Sequence, residues 1–399
     1  MRITYYYPWG LFYPTRSGAA VVAARHLSYF RARGFRPTIV TLGGGSPAAE
    51  QAFREHYAWA EDVQIVRPER YPDIRRNYEV WDFGRFLAAH AAIVATPEYR
   101  EVLARPADLV FLNYVFAAPL LDAVPRNAAR VLESVDVISR QFLRERQAPA
   151  LLEHHLNVEF TLYDLFDAVL MINEDEAAFA AQRGATNAHY VSRGIDVADA
   201  YGGYEWPTGA VYDLLFVGSN HGPNVEGARW FYEHVFAPRL KSRGLRWAIV
   251  GSVCDRLDFR DPSVSTLGQV DDLNEVYRQS KVVIAPLFSG TGTSIKSLEA
   301  MAQGKPLVTT PCGVRGIPNC DAEVVKLDFQ ASPSHTAEAI AELCQSRSLR
   351  ESYSQQAIGY ILRNFGPLAY GHRMDEILRP LLPAAFPSSP PTIQILHAA

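Results

Sequence analysis

The chain has 399 residues, too many for one ordinary hydrophobic core, so two domains are expected. With 48% hydrophobic and 21% charged residues it is globular, and a net charge of −4 argues against a general nucleic-acid binder. No apolar run reaches membrane-spanning length and no signal-peptide core is visible, which points to a cytoplasmic protein with room for contact at the inner face of a membrane.

The chain opens as a βαβ unit. Arg2 to Tyr7 reads as a strand, Ala19 to Arg33 has helical periodicity ending at Gly34, and Pro37 to Leu42 is a second strand. Gly18 sits in the loop before the helix, where a small residue serves helix–strand packing. Gly43-Gly44-Gly45 follows the second strand, lacks the G-x-G-x-x-G spacing and reads as a loop. Arg67 to Tyr78 is basic and aromatic, suited to binding a substrate or facing a membrane, or simply a solvated connector. Asp108 to Leu112 and Ala128 to Leu132 are short strands. Asp136 follows the second of these, at the edge where open α/β sheets bind ligands; it can orient a hydroxyl or cap the next helix. The acids from Glu174 to Glu176 favour a helix N-terminus. Residues 197–212 are rich in Gly, Pro, Tyr and Asp and read as a linker.

The second half begins with a strand, Leu214 to Val217, then a glycine turn and a helix. Ser219, Asn220, His221 and Asn224 occupy that turn and can hydrogen-bond a phosphate. Trp247 to Val250 is another strand. The stretch from Pro286 to Pro311 then reads as loop, helix and strand, entered from the buried strand Val282 to Ala285. Gly290 and Gly292 let backbone approach a ligand, Thr291, Thr293 and Ser294 add hydroxyls, and Thr293 or Ser294 can cap the helix. Free N–H groups at a helix start attract an anion, and Lys296 in the first turn can reach the same anion. Glu299, three residues on, shares its face. A cation beside a carboxylate suits a nucleotide, one holding diphosphate and the other ribose; a solvated i,i+3 ion pair is the alternative. Cys254, Cys312, Cys320 and Cys344 form no C-x-x-C pair, so neither a disulfide framework nor a metal site is expected.

The run from Gly290 to Thr310, with its core Leu-Glu-Ala-Met-Ala-Gln-Gly-Lys-Pro-Leu-Val-Thr-Thr, resembles the donor-site signature of GT-B glycosyltransferases of the large retaining family 4, the group 1 enzymes. It is most similar to the sub-branch with a Gly-x-Gly loop and a lysine. The resemblance implies an α/β fold of two Rossmann-like parallel-sheet domains facing across a cleft. It implies that Glu299 holds the donor ribose, that Gly18 meets the donor phosphate, and that backbone near Val270 and the side chain of Leu273 meet the base. Asp136 keeps its place in the segment where the family reads acidic, Thr, His, Asp. Two positions depart from the pattern. Thr291 stands where many members have a glutamate, and Val135 stands where they have a histidine.

The domains implied are 1–196 on the acceptor side, a linker at 197–212, a nucleotide-sugar domain at 213–365, a helix at 366–383 returning to the first domain, and a flexible tail at 384–399. The expected activity is transfer of a sugar from a nucleoside-diphosphate sugar to an acceptor hydroxyl, with Lys296 and Asp136 in the chemistry and no cofactor beyond the sugar nucleotide. A nucleotide-sugar epimerase and an inactive binding subunit are the alternatives. The acceptor, whether glycan, lipid-linked or protein, is not legible.

Overall fold

A computed structural model describes residues 1–14, 18–43, 45–67, 83–140, 149–192, 194–195, 211–290 and 293–386. The chain forms two compact units, Met1–Gly194 with Tyr370–Ala399, and Ile195–Ala369.

In the first unit, β1 (Ile3–Tyr7), β2 (Pro37–Leu42), β3 (Asp62–Val66), β4 (Leu109–Asn113), β5 (Ala129–Val135), β6 (Ala168–Met171) and β7 (Ala188–Tyr190) form a parallel sheet in the order β3-β2-β1-β4-β5-β6-β7. Both faces are buried, so alternate residues feed two cores. Ile3, Tyr5, Tyr7, Ile39, Leu109 and Phe111 pack on one side. Tyr6, Val40, Leu42, Val110, Leu112 and Leu132 pack on the other. The helix Gly18–Ala32 connects β1 to β2 and ends beside Gly34, whose φ of +73° suits a glycine. The last long helix, Pro367–Leu381, puts Tyr370, Met374 and Leu378 into the first of these cores. Tyr29 donates to Asp375 at 2.8 Å, tying that helix to the opening one.

The second unit has β8 (Tyr212–Val217), β9 (Trp247–Val250), β10 (Val264–Gly268), β11 (Ser280–Ala285), β12 (Leu307–Thr309) and β13 (Val325–Lys326), again all parallel, in the order β10-β9-β8-β11-β12-β13. Leu214, Phe216, Val282 and Ile284 face one layer; Leu215, Val283 and Ala285 face the other. In each unit the strand order reverses beside the first strand, and the crevice at the carboxyl ends there is where such sheets bind ligands.

Several boundaries differ from the sequence reading; Gly18, for one, opens the first helix instead of lying in the loop before it. β5 runs on to Val135, because polar Glu133 is buried, accepting from Val135 N and pairing with His26. Tyr212 opens β8, so it is sheet and not linker. Pro383–Ala385 forms a 3₁₀ turn and Phe386 is buried against Phe35, so the chain stays packed two residues past the start expected for the tail. Residues 68–78 of the basic aromatic stretch, Gly44, most of the expected linker and residues 387–399 lie outside the described residues.

Candidate functional site

The loops that follow β8 and β11 line one pocket of about 330 Å³ in the second unit. It is bounded by Gly218, Ser219, His221 and Asn224 on one side and by Gly290, Thr293, Ser294, Lys296, Glu299 and Arg315 on the other. Two strand–turn–helix units thus aim at one volume, as their places beside the order reversal require.

Close backbone contact builds the first wall. Gly218 N donates to Val250 O at 2.9 Å, and a Cβ on Gly251, at φ +103°, would stand 2.2 Å from Gly218 O. The helix Gly222–Phe231 starts here with His221 at its N-cap position, and no side chain caps it. Buried Asn224 spends its amide on the loop itself, donating to Ser219 O at 2.9 Å and to Ser219 Oγ at 3.2 Å. It shapes the turn, and its donor is already committed there. Asn220 is exposed; its N–H goes to Ser252 Oγ at 2.9 Å, and it is absent from the pocket lining. Ser219, His221 and Asn224 therefore line this wall, and Asn220 does not.

The second wall is the start of the helix Ile295–Ala302. Ser294 is its N-cap by position, yet its hydroxyl does not cap the backbone. It meets Ser297 Oγ at 2.9 Å, and Ser297 in turn donates to Gly313 O at 2.5 Å. Ser294 N donates to Arg315 O at 3.1 Å. The Oγ1 of Thr293 is buried and has no hydrogen-bond partner among the described residues. Leu298 and Met301 anchor the helix in the core, which leaves Lys296 and Glu299 on the pocket face. Thr291 and Gly292 lie outside the described residues.

Arg315 was not foreseen. It follows β12 in the turn Pro311–Val314 and Arg315, and Gly290, at φ +139°, leaves space for it: a Cβ there would come 3.1 Å from Arg315 Nη2. Its Nη1 donates to Cys312 Sγ at 3.0 Å. A sequence signal existed, an arginine just past the strand that follows the lysine helix, but no local pattern says that this turn folds back over the glycine loop.

The electrostatics follow from this grouping. Burial lowers the Lys296 pKa from the ordinary lysine value, Glu299 counteracts, and the like charge of Arg315 lowers it further. Two cations and a helix start around one cavity favour a dianion, and the carboxylate beside them favours a hydroxyl-bearing group. Val270 and Leu273 are half-buried against the core of this unit and are not among the lining residues. Asp272 caps the helix Leu273–Arg278 by accepting from Asn274 N at 2.9 Å.

Two further candidates belong to the first unit. Gly18 is the first residue of the helix Gly18–Ala32. Asp136 is half-buried just past β5, its N–H donating to Ser134 O at 2.8 Å. Glu159 takes the N–H groups of Ile138 and Ser139 at the helix start that follows.

Residues 212–346 match the family model described as glycosyl transferases group 1. No curated protein shows a significant match to the sequence. Among solved structures, the chain is similar to Anabaena Alr3699/HepE, crystallised with UDP-glucose, at 15% identity and a TM-score of 0.60, over 95% of this chain and 99% of that one. It is similar to a glycosyltransferase from Rickettsia africae ESF-5 at 12% identity and a TM-score of 0.62, covering 96% and 98%. It is also similar to the alpha,alpha-trehalose 6-phosphate synthase of Burkholderia multivorans at 14% identity and a TM-score of 0.66, covering 96% and 99%. Residues 212–346 are a glycosyl transferases group 1 domain, and the chain that carries it is a glycosyltransferase with the two-sheet GT-B fold.

Proposed function

We propose that the protein moves a glycosyl group from a nucleoside-diphosphate sugar to an acceptor hydroxyl, with retention at the anomeric carbon, in the synthesis of a surface glycan or glycoconjugate. The observation that supports it most is the grouping of Lys296, Arg315 and Glu299 around a helix start at the carboxyl ends of β8 and β11. In this reading the bond from the anomeric carbon to the diphosphate breaks and the leaving diphosphate takes the electron pair. Lys296, Arg315 and nearby N–H groups stabilise that charge as it grows. Glu299 binds the donor ribose. Asp136 orients the acceptor hydroxyl, whose oxygen forms the new bond to the anomeric carbon and whose proton passes to the leaving diphosphate. The four cysteines are all free, which supports a reducing compartment such as the cytoplasm. UDP-glucose is the first donor to try, since the similar Anabaena protein was crystallised with it.

The test is incubation of the full chain with UDP-, GDP-, ADP- and dTDP-sugars and a panel of sugar acceptors. Released nucleoside diphosphate is quantified, and the anomeric proton of the product is read by NMR. Glycosylated acceptor with the donor's anomeric configuration supports the reading. Isomerised donor without release of diphosphate would make the protein an epimerase. Binding without turnover would make it a binding subunit.

A further inference from the structure

Val135 lies in the left-handed region at φ +66°, a conformation that a β-branched residue seldom adopts. Such outliers persist only where the surroundings over-determine them. Here the surroundings are carboxylates. Val135 N donates to Glu133 Oε1 at 3.1 Å and Val137 N to Glu176 Oε2 at 2.8 Å. Ile138 N and Ser139 N donate to the two oxygens of Glu159 at 2.9 and 2.8 Å. Asp136 N goes to Ser134 O, and Ser134 Oγ donates back to Asp136 O at 2.9 Å. Every N–H from 135 to 139 therefore has an acceptor, and the backbone is fixed on both sides of Asp136.

A second layer holds the carboxylates. Glu133 Oε2 meets His26 Nε2 at 3.0 Å with both residues 1% exposed, and His26 Nδ1 meets Tyr5 Oη at 3.1 Å. Tyr163 Oη donates to Glu159 Oε1 at 2.7 Å and meets Ser134 Oγ at 2.8 Å. The neighbouring strand end bends the same way: Tyr114 has φ +69°, and its N–H donates to Glu133 O at 2.7 Å. Burying carboxylates is unfavourable unless each is paired or hydrogen-bonded. Capping a helix start needs one short polar side chain, so capping alone does not account for three acids and a left-handed valine. Burial and then the nearby Asp136 charge raise Glu176 to about 7, so these two carboxyls share one neighbourhood.

We propose that Glu133, Glu159 and Glu176 are positioning residues that clamp the turn after β5 in a strained form and thereby aim the Asp136 carboxylate at the acceptor oxygen. This rests on the reading of Asp136 given above. The clamp differs from a plain structural role because it should act on turnover while leaving donor affinity alone.

Two readouts on the full chain test it. Hydrogen–deuterium exchange reads the amides of 135–139. Hydrolysis of UDP-, GDP-, ADP- and dTDP-glucose reads the chemistry with water as acceptor. Glu133→Met removes both acceptor oxygens at similar volume. It is expected to speed exchange over 135–139 by roughly tenfold or more and to lower kcat for hydrolysis about tenfold with KM for the nucleotide sugar unchanged. Glu133→Gln, whose carbonyl can still take the Val135 N–H, should keep both near wild type. Adding Val135→Gly to Glu133→Met should recover kcat, because glycine reaches φ > 0 unaided. Should Glu133→Met fail to fold, Glu159→Gln carries the same test, since its amide replaces one acceptor with a donor facing an N–H. Unchanged exchange, or a raised KM with kcat unchanged, overturns the proposal. If none of the four nucleotide sugars binds even the wild type, the proposed function falls instead, and the exchange arm still decides the clamp.

Discussion

Ser294 N donates to Arg315 O at 3.1 Å, so the residue that opens the Lys296 helix is hydrogen-bonded to the turn that carries the second cation of the pocket. Lys296 and Arg315 are therefore presented as a pair by one backbone contact, although they lie on either side of β12 in sequence. An ammonium and a planar guanidinium together can meet both phosphates of a diphosphate, the first as a compact charge and the second through a fork.

Arg315→Gln should weaken nucleoside-diphosphate binding by roughly 10- to 100-fold, the loss of one charge-assisted contact. It should also act on Lys296. Burial and Arg315 both lower the Lys296 pKa, so removing Arg315 raises it. The alkaline limb of the pH–rate profile should therefore move to higher pH in the variant. Calorimetry and a pH–kcat/KM profile measure the two effects, and a limb that moves down contradicts the assignment.

Lys296→Ala should lower turnover by about one to three orders of magnitude, as expected for losing one preorganised group that meets the leaving charge. Unchanged turnover removes Lys296 from the mechanism. Glu299→Ala should instead raise donor KM about tenfold with kcat largely kept, since a ribose contact is made in ground state and transition state alike. A normal donor KM in that variant excludes the ribose role.

Much of the second unit was legible because its strands announce themselves by apolar runs that end in glycine turns. Val282 to Ala285 followed by Gly290, and Leu214 to Val217 followed by Gly218, place two helix starts by local rules alone. Arg315 was not legible, because its approach to Gly290 is a tertiary event between segments with β12 between them. The bonds from Asn224 to Ser219 were not legible for the same reason: an amide in a turn looks equally suited to ligand and to loop until Ser219 is seen beside it. Glu133 hid the end of β5, since a buried acid reads as a loop residue when its partner His26 lies in a different element.

Glu176→Gln should stabilise the fold above neutral pH. The folded-state pKa of Glu176 is raised from 4.5 to about 7, first by burial and then by Asp136, with Arg140 opposing and Glu159 adding to the rise. The native state thus keeps a proton that the unfolded chain releases between these values, so wild-type stability falls as pH rises from 4.5 to about 7. The glutamine, which still accepts from Val137 N, escapes that loss. The gain at pH 8 should be on the order of 1–2 kcal/mol at this half-buried site and should vanish near pH 4. Urea melts across pH measure it, and a gain that is constant with pH contradicts it.

Gly251→Ala should destabilise the second unit by about 2–4 kcal/mol, combining left-handed strain with overpacking. The added methyl would face Gly218 O, which accepts from Val253 N in the turn that carries Ser219 and His221. A parallel Gly244→Ala, also at positive φ but with nothing within 4 Å, should cost only the strain. Equal losses in the two variants would show that the contact with Gly218 does not matter.

The most direct test of the central claim is isothermal calorimetry of UDP, GDP, ADP and dTDP on the wild type and on Lys296→Ala. The account predicts that at least one nucleoside diphosphate binds the wild type and that the variant loses most of that affinity. Binding that is equal in both proteins, or absent from the wild type for all four, would contradict the assignment of this pocket as the donor site.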